Sequence, residues 1–330
     1  MNSDWITFLK SYPSTIIDNS EMENAVSQEI RQDSITALTQ FSIIKVAGSE
    51  ANTFLQGQLT CNINDLTDTN SFFAAFCNAK GRAISTLLII KDAADYLLIL
   101  PAELVEKVSK KLQMYIMRSD VQLNDLSHDL CLIGITADSS DILPVESKTP
   151  FTVHRNNAIY IKFPAYNNRY LVISQVSQAI SIWESLTKNT GLNICHSNTW
   201  VEQDINAGIP WLSSTSSEEY IPQMLNIDKL GGISFNKGCY TGQEIIARTH
   251  YLGKSKRELY LANCDTATGI TIDNQIITDN SEQVIGKILS LYTNTKQTKM
   301  LIVLQSADSE LKNLTLNNSN QDKIHIIDFQ

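Results

Sequence analysis

Short apolar runs, not long ones, set the texture of the first third of the chain. FSIIKV (41–46), SFFAAFC (71–77), ISTLLIIK (84–91) and YLLILP (96–101) are rich in β-branched and aromatic residues and predict strands. Lys80-Gly81 and Asp92 to Asp95 mark the turns between the last three. A helix is expected over about 49–58, with Ser49 as N-cap. Leu104, Val105, Val108, Leu112 and Ile116 recur at helical spacing over 102–116. DVQLNDL (120–126) alternates like a strand. The order β-α-β-β-β-α-β predicts helices packed on an antiparallel sheet.

A second round follows. CLIGI (131–135), FTVH (151–154), AIYIKF (158–163) and RYLVIS (169–174) read as strands, 175–188 as a helix ending near Gly191, and 199–207 as a short helix stopped by Gly208 and Pro210. The stretch between 137 and 150, with Pro144 and Pro150, reads as a loop, and the serine run 213–217 as a turn. From Glu258 the helical period disappears. ELYLANC, TGITIDN, VIGKILSLY, MLIVLQ and HIIDF are short β runs of a small barrel or sandwich. The expected organisation is α+β: one lobe over 1–126, a second over 127–255, and a β-barrel over 256–330.

Composition narrows the function. The chain has 330 residues and a net charge of −9, which argues against a general nucleic-acid coat. That charge is uneven. Lys229, Lys237, Arg248, Lys254, Lys256 and Arg257 face only Glu244 within 229–257, a segment of +5 on a body of −14. Such a patch suits an anionic ligand (a polyglutamate tail, a phosphate backbone or an acidic partner) or is simply a solvated loop. Six cysteines are scattered without a CxxC pair, and five histidines without HExxH. Neither a stably bound metal nor a disulfide framework is expected. Residues 1–10 lack a signal-peptide pattern and no apolar run approaches bilayer length, so a cytoplasmic, membrane-free protein is expected.

The densest unusual stretch is LGGISFNKGCYTGQEIIAR, 230–248. Thr241-Gly242-Gln243-Glu244 has the form of a capping box opening a helix. Cys239 then sits close before a helix N-terminus and near Lys237, both of which favour thiolate. It is the cysteine with a physical reason to react. The alternative is a buried structural thiol in a glycine turn. His250 is expected past the helix, as a surface residue.

The octapeptide KGCYTGQE resembles the signature of the YgfZ family of folate-binding, tRNA-modification and iron–sulfur-repair proteins, related to the T-protein (aminomethyltransferase) of glycine cleavage. FLQGQLTCNI (54–63), CNAKGR (77–82), INAGIP (205–210) and YIPQMLNIDKLGGISF (220–235) resemble further family blocks in the expected order. The resemblance implies a T-protein-like fold of two lobes and a C-terminal barrel around a central folate channel. It implies that Cys239 is the functional residue, with Lys237, Gly238, Tyr240, Gly242, Gln243 and Glu244 shaping its loop. Trp200 and Phe41 fall where aromatic residues line folate; Asn206, Lys237, Tyr240, Gln243, Glu244 and Arg248 complete the implied cofactor-binding set. Two departures stand out. Phe41 keeps a stacking face but lacks an indole N–H. Asn206 replaces a common glutamate, which would accept two hydrogen bonds from a pterin edge where an amide accepts and donates.

The expected function is that of a tetrahydrofolate-binding accessory protein supporting iron–sulfur assembly or repair, and thereby tRNA modification. Its expected partners are iron–sulfur enzymes such as tRNA-thiolating radical enzymes, with direct RNA binding not expected. The alternative is a folate-dependent one-carbon transferase, for which no acid could be assigned, Asn78 and Asn206 both being amides. Gln56, Gln58, Tyr220 and Gln223 either face the channel or serve the fold.

Overall fold

The computed structural model describes residues 2–12, 33–138, 142–143, 147, 149–165, 167–253, 255–278, 281–305 and 313–329. Lys254 and part of the 137–150 loop, including Pro144, lie outside them. The chain opens with helix α1 (Ser3–Leu9) and strand β1 (Ser34–Ala37), neither of which the sequence pattern announced. Then come β2 (Phe41–Ala47), α2 (Ala51–Gln56), β3 (Ser71–Cys77), β4 (Ala83–Asp92), β5 (Asp95–Pro101), α3 (Val105–Ile116) and β6 (Gln122–Asp125). These strands form an antiparallel sheet in the order β3-β4-β5-β2-β6. It matches the predicted order of elements, because the apolar runs of β3, β4 and β5 are buried nearly throughout.

The second part contains β7 (Leu130–Ala137), β8 (Val153–Arg155), β9 (Ile159–Lys162), β10 (Asn168–Gln175), α4 (Val176–Asn189), β11 (Asn193–Ile194) and α5 (Ser197–Asn206). Its six-stranded sheet runs β11-β1-β7-β10-β9-β8, so β1 is borrowed from the first 126 residues. β1 pairs parallel to β11 and antiparallel to β7. Helix α1 packs on the same core, Trp5 meeting Trp183 of α4 edge-on at 5.7 Å.

After α6 (Gln243–Leu252) the chain closes a six-stranded barrel of β12 (Arg257–Cys264), β13 (Gln275–Thr278), β14 (Ser281–Thr293), β15 (Thr298–Gln305), β16 (Leu314–Leu316) and β17 (Lys323–Ile327), in the order β12-β15-β14-β13-β16-β17. The barrel was expected; the TGITIDN strand was not found. Residues 271–274 form a turn instead, Thr271 N–H donating to Asn274 Oδ1 at 2.7 Å, and β13 begins one residue later. A short asparagine side chain that bonds its own loop outcompetes a ladder.

Two helix starts also differ. Ser49 does not cap α2: its Oγ donates to Asp120 Oδ2 at 2.7 Å, and the helix begins at Ala51 behind Glu50. The ionised carboxylate is the stronger acceptor. The capping box at 241–244 does not form. α6 starts behind Gly242, which has φ +83° and no side chain to offer, while Thr241 Oγ1 donates to Gln58 Oε1 at 3.3 Å. His250 lies inside α6 rather than beyond it. No helix among the described residues is long and apolar enough to cross a membrane.

Candidate functional site

The loop carrying Cys239 is fastened along its length to the segment after α2. Thr60 Oγ1 donates to Gly232 O at 2.7 Å, Ser234 N–H to Thr60 O at 2.9 Å, and Thr241 N–H to Gly57 O at 3.1 Å. Lys237 adds the strongest tie. Its Nζ donates to the carbonyls of Leu59 and Cys61, each at 2.7 Å, and lies 4.9 Å from the centre of the Tyr240 ring. Lys237 and Tyr240 are both buried. Burial holds the lysine at about 8, well below its usual range, while the neighbouring Cys61 pulls it upward. The lysine therefore faces the interior, toward Cys61, and not Cys239 as the spacing had suggested.

Cys239 is exposed, whereas Cys61, Cys77, Cys131, Cys195 and Cys264 are buried. Burial pushes the thiols of Cys61 and Cys131 up to about 12 and that of Cys77 higher still. The loop presents one of six thiols to solvent, while the other five are buried. It lies three residues before Gly242. A Cβ on Gly242 would come within 2.5 Å of Asn78 O and 2.8 Å of Gly81 Cα, so the CNAKGR turn and the KGCYTGQE loop meet backbone to backbone. This contact joins two of the sequence blocks singled out above. Asn78 is spent on that turn: its Oδ1 accepts from Lys80 and Arg82 N–H, and its Nδ2 donates to Glu218 at 2.7 Å.

The remaining implied site residues divide. Gln243 is half-buried, and Glu244 and Arg248 are exposed on α6. Gln58 and Gln223 serve the loop and helix, Gln223 Nε2 donating to Ile246 O at 2.7 Å. Gln56 bonds Asn62 and Ile63 locally, and Tyr220 is buried. Phe41 packs against Trp211 at 4.5 Å and borders a cleft of about 210 Å³. Trp200 is only 1% exposed. The guanidinium of Arg169 covers its ring at 3.7 Å and Phe163 packs at 5.5 Å, while a Cβ on Gly134 would reach within 2.4 Å of it. Phe41 and Trp200 are thus not brought together as two open faces.

A buried charged cluster around Trp200 escaped the sequence reading. Arg169 Nη2 donates to Asp204 Oδ1 at 2.6 Å, and Trp211 Nε1 donates to Asp204 Oδ2 at 3.0 Å. Burial pushes Asp204 up to about 6, against the pull of Arg169. Two residues to either side of Asp204 on α5, Glu202 is bridged by Lys299 of β15 at 3.0 Å and Asn206 Oδ1 accepts from the same ammonium at 3.2 Å, tying α5 to the barrel. The available signal was two acids in a helix whose other residues pack into a core, since buried carboxylates require partners.

Two largely antiparallel sheets with packed helices and a closed barrel make an α+β fold of the T-protein type. The structure is similar to that of glycine cleavage system aminomethyltransferase T from Bartonella henselae, with TM-score 0.72 at 12% identity over 95% of this chain and 96% of that one. No family model matches the sequence. The chain is 31% identical over 301 residues to the tRNA-modifying protein YgfZ of Colwellia psychrerythraea, covering 84% of this chain and 91% of that protein. To the tRNA-modifying protein YgfZ of Klebsiella pneumoniae it is 32% identical over 236 residues, covering 68% and 70%. The chain belongs to the YgfZ family, and a role in tRNA modification follows at that level.

Proposed function

We propose that this protein is an accessory factor that supports iron–sulfur enzymes of tRNA modification, with the Cys239 thiol as the group it presents to them. The observation that carries the reading is the contrast among the six cysteines: one is exposed on a loop fastened at four points, and five are buried. A single thiol supplies one ligand or one redox equivalent, and an iron–sulfur cluster needs about four ligands. The others come from the client enzyme in this reading, so contact is transient.

A reduced folate is the small molecule the resemblance adds. Its fit is incomplete. Buried Trp200 Nε1, Arg169 Nε and Nη1, and Glu202 Oε2 have no hydrogen-bond partners among the described residues, as the polar edge of a pterin would require. Trp200, however, offers no open face for stacking, because Arg169 occupies it. Folate therefore does not fit against Trp200 with these side chains as placed, and no step is assigned to it. The aminomethyltransferase-type fold raises one-carbon transfer as a second reading. Asp204 is held by Arg169 and Trp211 and so is not free to act as a base, and Asn78, an amide held by its turn, cannot be one.

The test is made in cells lacking the endogenous family member. Wild-type chain restores thiolated tRNA nucleosides, measured by mass spectrometry of hydrolysed tRNA. Cys239→Ala, at an unchanged melting temperature, does not. Full restoration by Cys239→Ala overturns the reading.

A further inference from the structure

The outer face of α3 carries side chains that neither the fold nor the thiol loop uses. Val108, Leu112 and Ile116 bury its inner face. Lys107, Lys111 and Met114 share the opposite face at helical spacing, and Met117 and Arg118 follow at its end. Met114 is 69% exposed, Tyr115 41% and Met117 89%. Met117 holds φ +48°, a conformation that glycine takes freely and methionine does not. A strained residue that buries so little serves contact rather than packing.

This apolar tip is ringed by positive charge on an acidic protein. Lys80, Arg82, Lys111 and Arg118 enter no ion pair among the described residues. Of the nearby carboxylates, Glu106 pairs with Lys110, Glu218 pairs with Lys107 at 3.1 Å, and Asp120 is turned to Ser49. The face is continuous with the Cys239 loop. Glu218 accepts from Asn78 Nδ2 at 2.7 Å, Arg82 Nη1 donates to Glu219 O at 2.6 Å, and the Asn78 turn meets Gly242 backbone to backbone. The Glu218 carboxyl lies below its usual range, chiefly through Asn78, with burial opposing and Lys107 and Lys111 adding to the fall. The α3 lysines and the Asn78 turn thus share one electrostatic neighbourhood.

These features select a partner. Methionines are unbranched and polarisable and adapt to varied apolar surfaces, and Met, Tyr and Arg are enriched where proteins meet. A phosphate backbone gives two thioethers nothing to bury against. Tyr115 is one ring, where single-stranded nucleic acid takes a succession of stacking faces. The complement is a protein surface with apolar side chains set among carboxylates.

We propose that the Met114–Arg118 end of α3 docks an acidic surface with an apolar centre on the iron–sulfur client enzyme, and so brings that enzyme to the adjoining Cys239 loop. The inference rests on the reading of Cys239 as the thiol presented to such enzymes. In this arrangement the lysines and arginines speed encounter, and the buried methionines set how long the complex lasts.

The experiment is biolayer interferometry of the full chain against a purified, cluster-loaded tRNA-thiolating radical enzyme, with unmodified tRNA as a second probe. The enzyme is expected to bind, and to bind more weakly as salt is raised. Lys111→Glu with Arg118→Glu should weaken it at least about tenfold, mainly through slower association. Met114→Ser with Met117→Gly should weaken it by a similar factor, mainly through faster dissociation. The melting temperature of that second variant should be unchanged or raised, since glycine relieves the φ of +48°. The proposal is overturned if the enzyme does not bind, if its binding ignores both double variants, or if tRNA alone binds and responds to them. Absent binding with Cys239→Ala still inactive in the tRNA assay sinks the docking surface and leaves the thiol. Full activity of Cys239→Ala with enzyme binding intact does the reverse.

Discussion

The ammonium of Lys237 donates to the carbonyl of Cys61 at 2.7 Å, closing the Cys239 loop onto a segment 176 residues earlier in the chain. Removing it leaves two buried carbonyls, those of Leu59 and Cys61, without a donor. Lys237→Met should destabilise the protein by about 1–3 kcal/mol, the cost of orphaned buried acceptors. Urea unfolding measures this, and a loss below about 0.5 kcal/mol would show the tie to be superficial.

The same lysine predicts a pH dependence. Its folded value of about 8 lies below its unfolded value, so the unfolded chain binds more protons between the two. Stability contributed by this site therefore rises with pH from about 8 toward about 10.4. The stability difference between wild type and Lys237→Met should grow over that window, because the neutral amine still donates to both carbonyls. A difference that shrinks with pH contradicts the burial of the charged form.

Alkylation separates the six thiols. Iodoacetamide on the native protein should label Cys239 at least about a hundredfold faster than any buried cysteine, since it alone of the six is exposed and burial raises the thiols of Cys61, Cys77 and Cys131. Peptide mapping by mass spectrometry reads the order. Early labelling of Cys61 or Cys77 would mean that the loop opens in solution.

Glycines flank Cys239 with different roles. Gly242→Ala forces a side chain onto Asn78 O at a φ of +83°. It should cost more than about 2 kcal/mol and separate the two loops. Gly238 faces no atom within 4 Å of a built Cβ. Gly238→Ala should leave stability unchanged, and a loss of tRNA modification in that variant would place a partner's surface there. Thermal melts of both variants provide the comparison.

Asp204→Ala should be the most damaging of these substitutions, by about 3–5 kcal/mol, because it leaves Arg169 charged, buried and unpaired. The double variant Arg169→Met with Asp204→Ala should recover part of that loss. If the double variant is worse by the sum of both single effects, the pair is not coupled.

Most strands of both lobes were legible because their apolar runs are buried almost residue by residue, as in β4 and β10. β1, β11 and β16 were not: they have four, two and three residues, too few for a period to register. The Cys239 loop was visible through its composition. Its geometry was not, since Lys237 turns inward to carbonyls that are distant in sequence. Arg169 and Asp204 look like ordinary surface charges until their two elements are brought together, and the stacking of Phe235 on His250 depends on α6 running through His250 rather than ending before it.

The placement of β1 has a consequence for how the chain assembles. Asp33, just before it, receives a hydrogen bond from Asn193, 160 residues downstream. During synthesis from the N-terminus, β1 emerges long before either of its neighbours in the sheet. The first sheet, built from residues 41 to 125, can pair completely while β1 waits. The six-stranded sheet must then form around a strand already outside the ribosome, a non-local closure with a larger loop-closure cost than any pairing within the first sheet.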